Sequence, residues 1–413
     1  MGAYLAKPIT SKESEDGSFS QVQYGSSAMQ GWRVNMEDEH ISKEFCPGSG
    51  MGLFAVFDGH GGKESSTFCK KHFQQQLQAR VEANKGDIAV SLRQAFHQMD
   101  TMMRDPSRTA EIASMSHAAA KESAAKEVSG SPKAGGSPVK PAPAPTVGEK
   151  AASMVKAAAF SALRPAPLRY TASVNSALDE ARKKGKLTQK EAMELMIKMM
   201  AVQRMEKPGA KGGGEGADDA PGAAAASAKP EGVQAGCTAN VLVLTKTEIF
   251  VANAGDSRAV LCNAGNAIAL SVDHKPNDAV ERDRIEKAGG WITNANGHFR
   301  VNGNLNLSRA IGDLKYKGDA SISPAAQVIT AEPDVTVRRR DKGDEFIVVG
   351  CDGIWDCMSN EEVVTLVRQR LKQGVARSKI CEEVFDRCIS TDPKQTAGIG
   401  GDNMTCTIVT IKS

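Results

Sequence analysis

Four acidic stations spread along the chain constrain it most: Glu37-Asp38, Asp58-Gly59, Asp352 with Asp356, and Asp402. Asp58 and Asp352 follow apolar runs of strand character, 53–57 and 346–350, and Asp402 immediately precedes another, 404–411. A carboxylate at a strand end is held rigidly and can be aimed into a shared cleft. Several carboxylates in one cleft repel each other unless cations lie between them. The fold therefore has to gather strand ends in one place, and that place asks for hard, oxygen-loving metal ions.

Composition narrows the field. The 413 residues suffice for one large domain or two ordinary ones. A formal charge of +3 is too small to argue for nucleic acid or an anionic membrane as an obligatory partner. Nine cysteines, with no Cys-x-x-Cys spacing and several inside apolar patterns (Cys69, Cys351, Cys406), read as reduced, buried thiols of an intracellular protein. No run of about 18 apolar residues suggests a membrane span, and the N-terminus lacks the apolar core of a signal peptide. Met1-Gly2-Ala3-Tyr4-Leu5-Ala6 is close to a myristoylation pattern, with Ala6 where the strict pattern has Ser or Thr. Two alternatives stand: an acylated Gly2 giving reversible membrane attachment, or a frayed terminus.

Patterned, globular sequence covers 19–104 and 233–413, preceded by an N-terminal segment at 1–18 and interrupted by an Ala/Pro/Gly-rich insertion at 105–232. Residues 241–244 and 248–252 flank a three-residue turn and suit an antiparallel hairpin, as do 258–262 and 267–270. Helices come in consecutive pairs. The first is expected over 63–83 and 88–103, with Leu92, Phe96, Met99 and Met103 as an apolar stripe. The second opens at Ser359 with Glu362 completing a capping box, stops at Gly374, and resumes over 378–390. Antiparallel strands with helix pairs give an α+β fold: a central antiparallel β-sandwich flanked by helix pairs, in α-β-β-α layers.

The Pro-rich parts of the insertion, including Ser131-Pro132 and Ser137-Pro138, are expected to be disordered. A helical hairpin is expected at 172–206, with a stripe of Met193, Met196, Ile197 and Met200. That stripe either docks a protein partner or packs on the chain's own catalytic domain.

No cysteine and no clustered histidine accompanies the acids, so carboxylates, a backbone carbonyl and waters suit Mg²⁺ or Mn²⁺ better than zinc. Two such ions can share a carboxylate and a water, ease loss of that water's proton, and orient a phosphoryl group for in-line attack. Arg33 supplies a forked cation that matches phosphate oxygens. His60, two residues after Asp58, is placed to protonate a departing alkoxide. Singly, each is weak: Asp-Gly is a common turn, and a lone Arg or His is usually incidental.

Their co-occurrence and order are specific. Gly31-Trp32-Arg33 with Glu37-Asp38, Phe57-Asp58-Gly59-His60-Gly61-Gly62, Gly236-Cys237-Thr238-Ala239, Ala254-Gly255-Asp256-Ser257-Arg258, Leu307-Ser308-Arg309-Ala310-Ile311-Gly312-Asp313, Cys351-Asp352-Gly353-Ile354-Trp355-Asp356 and Gly401-Asp402-Asn403-Met404-Thr405 follow one another. The series resembles the metal-dependent serine/threonine protein phosphatases of type 2C (PPM) over 19–104 and 233–411. The resemblance implies that Asp58 bridges two ions, that the Gly59 carbonyl is a ligand, and that Glu37, Asp352 and Asp402 complete the coordination. It implies that Asp38 acts through bound water, Arg33 holds phosphate and His60 is the general acid. Asp256 and Asp356 match positions of a weaker third ion near Asp352; the alternative is a turn acid and a helix-start acid. Residues 274–316 correspond to a flap that influences substrates, and Arg309 is carried over as motif structure only.

The expected activity is hydrolysis of phosphoserine and phosphothreonine in proteins without a covalent phosphoenzyme, by a monomer in the cytoplasm, with nuclear or reversibly membrane-associated pools as further options. Two rivals remain: a scaffold acting through the insertion, and a metallohydrolase of small phosphate esters, although the sequence has no Gly-x-x-x-x-Gly-Lys phosphate loop.

Overall fold

The computed structural model describes residues 4–116, 234–295 and 297–411, all within one compact unit. Gly2, Ser131, Ser137 and the expected hairpin at 172–206 lie outside the described residues.

One sheet runs, in spatial order, β1 (Tyr4–Phe19), β2 (Val22–Arg33), β16 (Met404–Ile411), β15 (Asp344–Gly350), β9 (Arg258–Asn263) and β10 (Asn266–Ala269). The other runs β14 (Asp334–Arg339), β8 (Glu248–Ala254), β7 (Ala239–Leu244), β4 (Gly52–Phe57) and β3 (Glu39–Glu44). Two small sheets, β5 (Gly59–His60), β6 (Gly236–Cys237) and β13 (Ile311–Gly312) in one and β11 (Ile292–Ala295) with β12 (His298–Val301) in the other, account for the remaining strands of the described residues. Every pairing of these strands is antiparallel.

The two-residue side-chain period explains how these strands build layers. In β4, Phe54 and Val56 face a core shared with Leu261 of β9 and Ile347 and Val349 of β15. Leu53, Ala55 and Phe57 point the other way, onto Phe73 of α1 (Glu64–Ala83) and Phe96 of α2 (Ile88–Met103). In β15 the alternate residues Phe346 and Val348 meet Val364 and Val367 of α5 (Asn360–Lys372) and Ile380 and Phe385 of α6 (Arg377–Cys388). The order of layers is thus helix pair, sheet, sheet, helix pair. Both faces of the central strands are buried, which is why 53–57 and 346–350 read as unbroken apolar runs rather than alternating ones. Each large apolar side chain so enclosed contributes about 1.5–3 kcal/mol.

The helix boundaries follow local signals. The Asp87 side chain accepts from the Val90 amide at 3.0 Å to open α2. Ser359 and Glu362 form the expected capping box at α5, and Gly374 takes φ +76° just beyond its end. All nine cysteines are free and seven are buried.

Two boundary expectations are corrected. Residues 4–18 are not a separate N-terminal segment but most of β1, the edge strand. Its sequence is too polar to read as a strand because little of it faces a core, and edge position also tolerates Pro8. It is fastened by polar contacts instead: Asp16 accepts from the Ser378 amide at the start of α6 at 3.1 Å, and Lys12 pairs with Asp386 at 2.6 Å. The globular part also continues past 104. A short turn at Pro106–Arg108 leads into helical residues 109–116, whose Ile112 and Met115 join the core beneath α1 and α2. Two apolar anchors three residues apart were too few to stand out against Ala- and Ser-rich surroundings.

Candidate metal centre

Antiparallel strand ends deliver the acids to one end of the sandwich. Asp58 follows β4, Asp256 sits in the turn between β8 and β9, and Glu37-Asp38 lies between β2 and β3. Asp402 precedes β16, and Asp352 opens the one-turn helix α4 (Asp352–Trp355) directly after β15. A cleft of about 390 Å³ is lined by Arg33, Glu37, Asp58, Gly59, His60, Asp256, Asp352 and Asp402. Carboxylate oxygens of Asp58, Asp256 and Asp352 all fall within 4.8 Å of one another, and Asp38, Asp58 and Cys351 form a second such group. Asp38 is buried beneath the cleft with Oδ2 accepting from the Thr405 hydroxyl at 2.8 Å. Asp356 is not among the lining residues but lies close enough to Asp352 to push its pKa up.

The loops are tied together at short range. Asn403 donates to the Gln30 and Asn35 carbonyls at 2.8 and 3.0 Å and accepts from the Glu37 amide at 3.0 Å, so the Asp402 loop sets the Glu37 loop. Gly59 has to be glycine: a Cβ there would come within 2.3 Å of the Glu37 carbonyl oxygen.

The electrostatics expose what the chain itself does not supply. Burial, then the charges of Asp38, Asp352, Asp402 and Asp256, hold Asp58 well above the ordinary carboxylate range. Burial and then Asp256, Asp402 and Asp356 do the same to Asp352, against a smaller opposing pull from Lys275. Burial lifts Asp38 to about 6 despite the Thr405 hydroxyl. Oδ1 of Asp38 and Oδ1 of Asp256 are buried with no hydrogen-bond partner. Cys351 is a sulfur that the sequence did not lead us to expect among the acids, but burial and then the charges of Asp38, Asp58 and Asp352 push its thiol pKa up and disfavour the thiolate. The orphaned, mutually repelling carboxylate oxygens that remain fit hard divalent cations.

The family described as "Protein phosphatase 2C" matches residues 22–121 and 215–396. The chain belongs to the protein phosphatase 2C family. It is 34% identical over 412 residues to "Probable protein phosphatase 2C 21" of Arabidopsis thaliana, an alignment that covers 100% of this chain and 93% of the relative. Among solved structures it is similar in fold to a phosphatase from a pathogenic strain of Toxoplasma gondii (TM-score 0.57, 17% identity, 97% and 95% of the two chains). A serine-threonine phosphatase 2C from the same organism is likewise similar in fold (TM-score 0.52, 18% identity, 99% and 98%). The protein is a metal-dependent serine/threonine protein phosphatase, and its substrates are phosphoproteins.

In this phosphatase Arg33 pairs with Asp402 through Nη2, while its Nε is buried without a partner. His60 Nε2 lies 2.6 Å from Oδ2 of Asp313. Burial alone would lower the His60 pKa, but the charge and hydrogen bond of Asp313 outweigh it and raise it. Sequence reasoning quoted Asp313 within a motif and gave it no part. The structure supplies what the sequence does not show: Gly312 at φ +80° and Asp313 at φ +49° form a bend that brings the Asp313 carboxylate to His60. The bend is anchored from α2. Buried Asp100 accepts from the Gly312 amide at 2.8 Å and from Lys317 Nζ at 2.5 Å. Gly236 leaves room for the pair, since a Cβ there would lie 2.2 Å from Asp313 Oδ2 and 2.5 Å from His60 Nε2.

Arg300, Asn306 and Leu307 also line the cleft, so the 274–316 stretch does border the site. Arg309 is buried and spent internally, on Glu281 at 2.6 Å, Asp334 at 2.8 Å and the Glu332 carbonyl at 3.1 Å.

Proposed function

We propose that the centre holds two Mg²⁺ or Mn²⁺ ions, with Asp58 between them, and that Glu37, the Gly59 carbonyl, Asp352 and Asp402 hold them while Asp38 acts through water. A weaker third ion belongs to Asp256 and Asp356 beside Asp352. The observation that carries this reading is the group of converging carboxylates whose charges push one another's pKa values up, with buried oxygens left unpartnered. Bound there, such ions supply an activated water and offset charge on the phosphoryl group.

The chain's own residues do the rest. The forked guanidinium of Arg33, with a buried free Nε, is the donor for phosphate oxygens. Asp313 holds His60 through Nε2 and favours its protonated form, so the proton given to the leaving serine or threonine oxygen is the one on Nδ1.

Phosphate release from a phosphothreonine peptide with Mn²⁺, Mg²⁺ or EDTA tests the centre; release that is indifferent to chelator would sink it. His60→Ala should slow hydrolysis of phosphoserine esters about a hundredfold while sparing aryl phosphates, whose leaving groups need little protonation. Equal losses on both would remove the acid assignment.

We read the enzyme further as a cytoplasmic monomer with nuclear or membrane-associated pools, the latter through acylation of Gly2, and the insertion as a docking element for a protein partner. The support is compositional: near-neutral charge, and a glycine-led N-terminus. Intact mass of the protein from its native cell decides the acylation.

A further inference from the structure

Asp256 is almost wholly buried, yet its two oxygens are treated differently. Oδ2 receives the Lys275 ammonium at 2.5 Å, and Oδ1 has no hydrogen-bond partner. Carboxylate oxygens of Asp256 and Asp352 lie within 4.8 Å of each other, so the ammonium on Asp256 stands beside Asp352 as well, and the charges of Asp352 and Asp356 also act on it. Nor is Lys275 a loose surface lysine. The preceding residue, His274, is buried; its amide donates to the Gly255 carbonyl at 3.0 Å and its Nδ1 accepts from the Gly255 amide at 3.2 Å. The Lys275 amide in turn donates to the Asp278 side chain at 3.0 Å. The backbone of Lys275 is thereby fixed against the turn that carries Asp256, while its partly exposed side chain retains an exit to solvent.

We propose that the Lys275 ammonium is a tethered cation that competes with the third divalent ion for the Asp256–Asp352–Asp356 pocket and sets how weakly that ion binds. This rests on the third-ion reading given above. A divalent ion taking Oδ2 of Asp256 has to displace an ammonium that is already paired there, or share the carboxylate with it against like-charge repulsion. The orphaned Oδ1 gives the ion a first point of attachment while the lysine is still in place. Removing one unit of positive charge at about 4 Å from such an ion is worth well over tenfold in affinity at any protein-like dielectric. A lysine that merely positioned Asp256 would act with the opposite sign, because its loss would loosen the carboxylate and weaken the ion.

The test is Mn²⁺ binding, independent of turnover. The full chain is titrated by calorimetry, with free Mn²⁺ counted by electron paramagnetic resonance, for the wild type, Lys275→Met and Lys275→Arg; thermal melts report folding. The wild type should show two tight ions and one weak one. Lys275→Met should tighten the weak ion at least about tenfold, and Lys275→Arg, which keeps the charge, should stay near wild type. Should Lys275→Met not fold, Lys275→Gln carries the same expectation. A weak ion whose affinity is unchanged or reduced in the neutral variants overturns the competition and leaves the third-ion reading standing. Two ions only, in every form, overturns both.

Discussion

Glu281, buried, and Asp58, half-buried at the floor of the cleft, are both acids withdrawn from bulk solvent, and the chain treats them in opposite ways. Glu281 lies between two arginines, Arg309 at 2.6 Å and Arg284 at 2.6 Å. Burial alone would raise its pKa, but the Arg309 hydrogen bond and the two guanidinium charges bring it down to about 2. Around Asp58 burial acts together with four neighbouring acids, and all of them push upward. The first cluster carries its own counter-charges and joins α3 (Ala279–Lys287) to the strand-end segments at Arg309 and Asp334. The second is left short of cations that must come from solution. Burial of an acid is therefore uninformative by itself; what separates structure from chemistry is whether the chain completes the charge.

The largest expected effect breaks the comparison on the cleft side. Asp352→Asn should lower Mn²⁺-dependent phosphate release by about a thousandfold or more, yet in EDTA it should melt no lower than wild type, because it removes repulsion. A clear loss of stability in chelator would mean that Asp352 is a structural acid like Glu281. The converse substitution comes next. Glu281→Gln leaves Arg309 and Arg284 facing a neutral group and should cost about 3 kcal/mol in urea unfolding, within the range for broken buried pairs, while kcat with saturating Mn²⁺ holds. A cost below about 1 kcal/mol would show that solvent compensates the arginines.

These two clusters were not equally visible in the sequence. Leu53–Phe57, Phe346–Gly350 and Met404–Ile411 announced themselves as strands because both faces of each are buried, and the acids beside them inherited that clarity. The capping box at Ser359 and the stop at Gly374 were legible for a local reason: each is complete within a few residues. What escaped depends on distance along the chain. His60 meets Asp313 across 253 residues, and neither residue's neighbours mention the other. Lys275 and Asp256 are only 19 apart, but a lysine after a histidine looks like surface until the Gly255 turn folds back on it. The strand β1 escaped because its place comes from its antiparallel ladder with β2 and from Asp16 and Lys12 reaching α6, not from an apolar pattern.

The smallest effect sharpens the contrast most directly, because the two kinds of acid should pull stability in opposite directions with pH. Glu281 has a folded pKa of about 2 against an ordinary 4.5, so its contribution is complete above about pH 4.5 and is lost as pH falls toward 2. Asp38 in the metal-free enzyme has a folded pKa of about 6 against an ordinary 3.8, raised first by burial. Its contribution is complete below about 3.8 and is lost as pH rises through 6. In EDTA the melting temperature should therefore climb by a few degrees between pH 7 and about 5 and then fall below about 4.5. Saturating Mn²⁺ should flatten the climb, because bound cations favour the ionised acids, and should leave the fall in place. Asp38→Asn should reduce the climb, which Asp58 and Asp352 share, and leave the fall in place, whereas Glu281→Gln should blunt the fall and leave the climb. If the metal-free enzyme instead loses stability steadily from pH 7 to 5, the cleft acids are already satisfied within the chain, and the distinction between the two clusters fails.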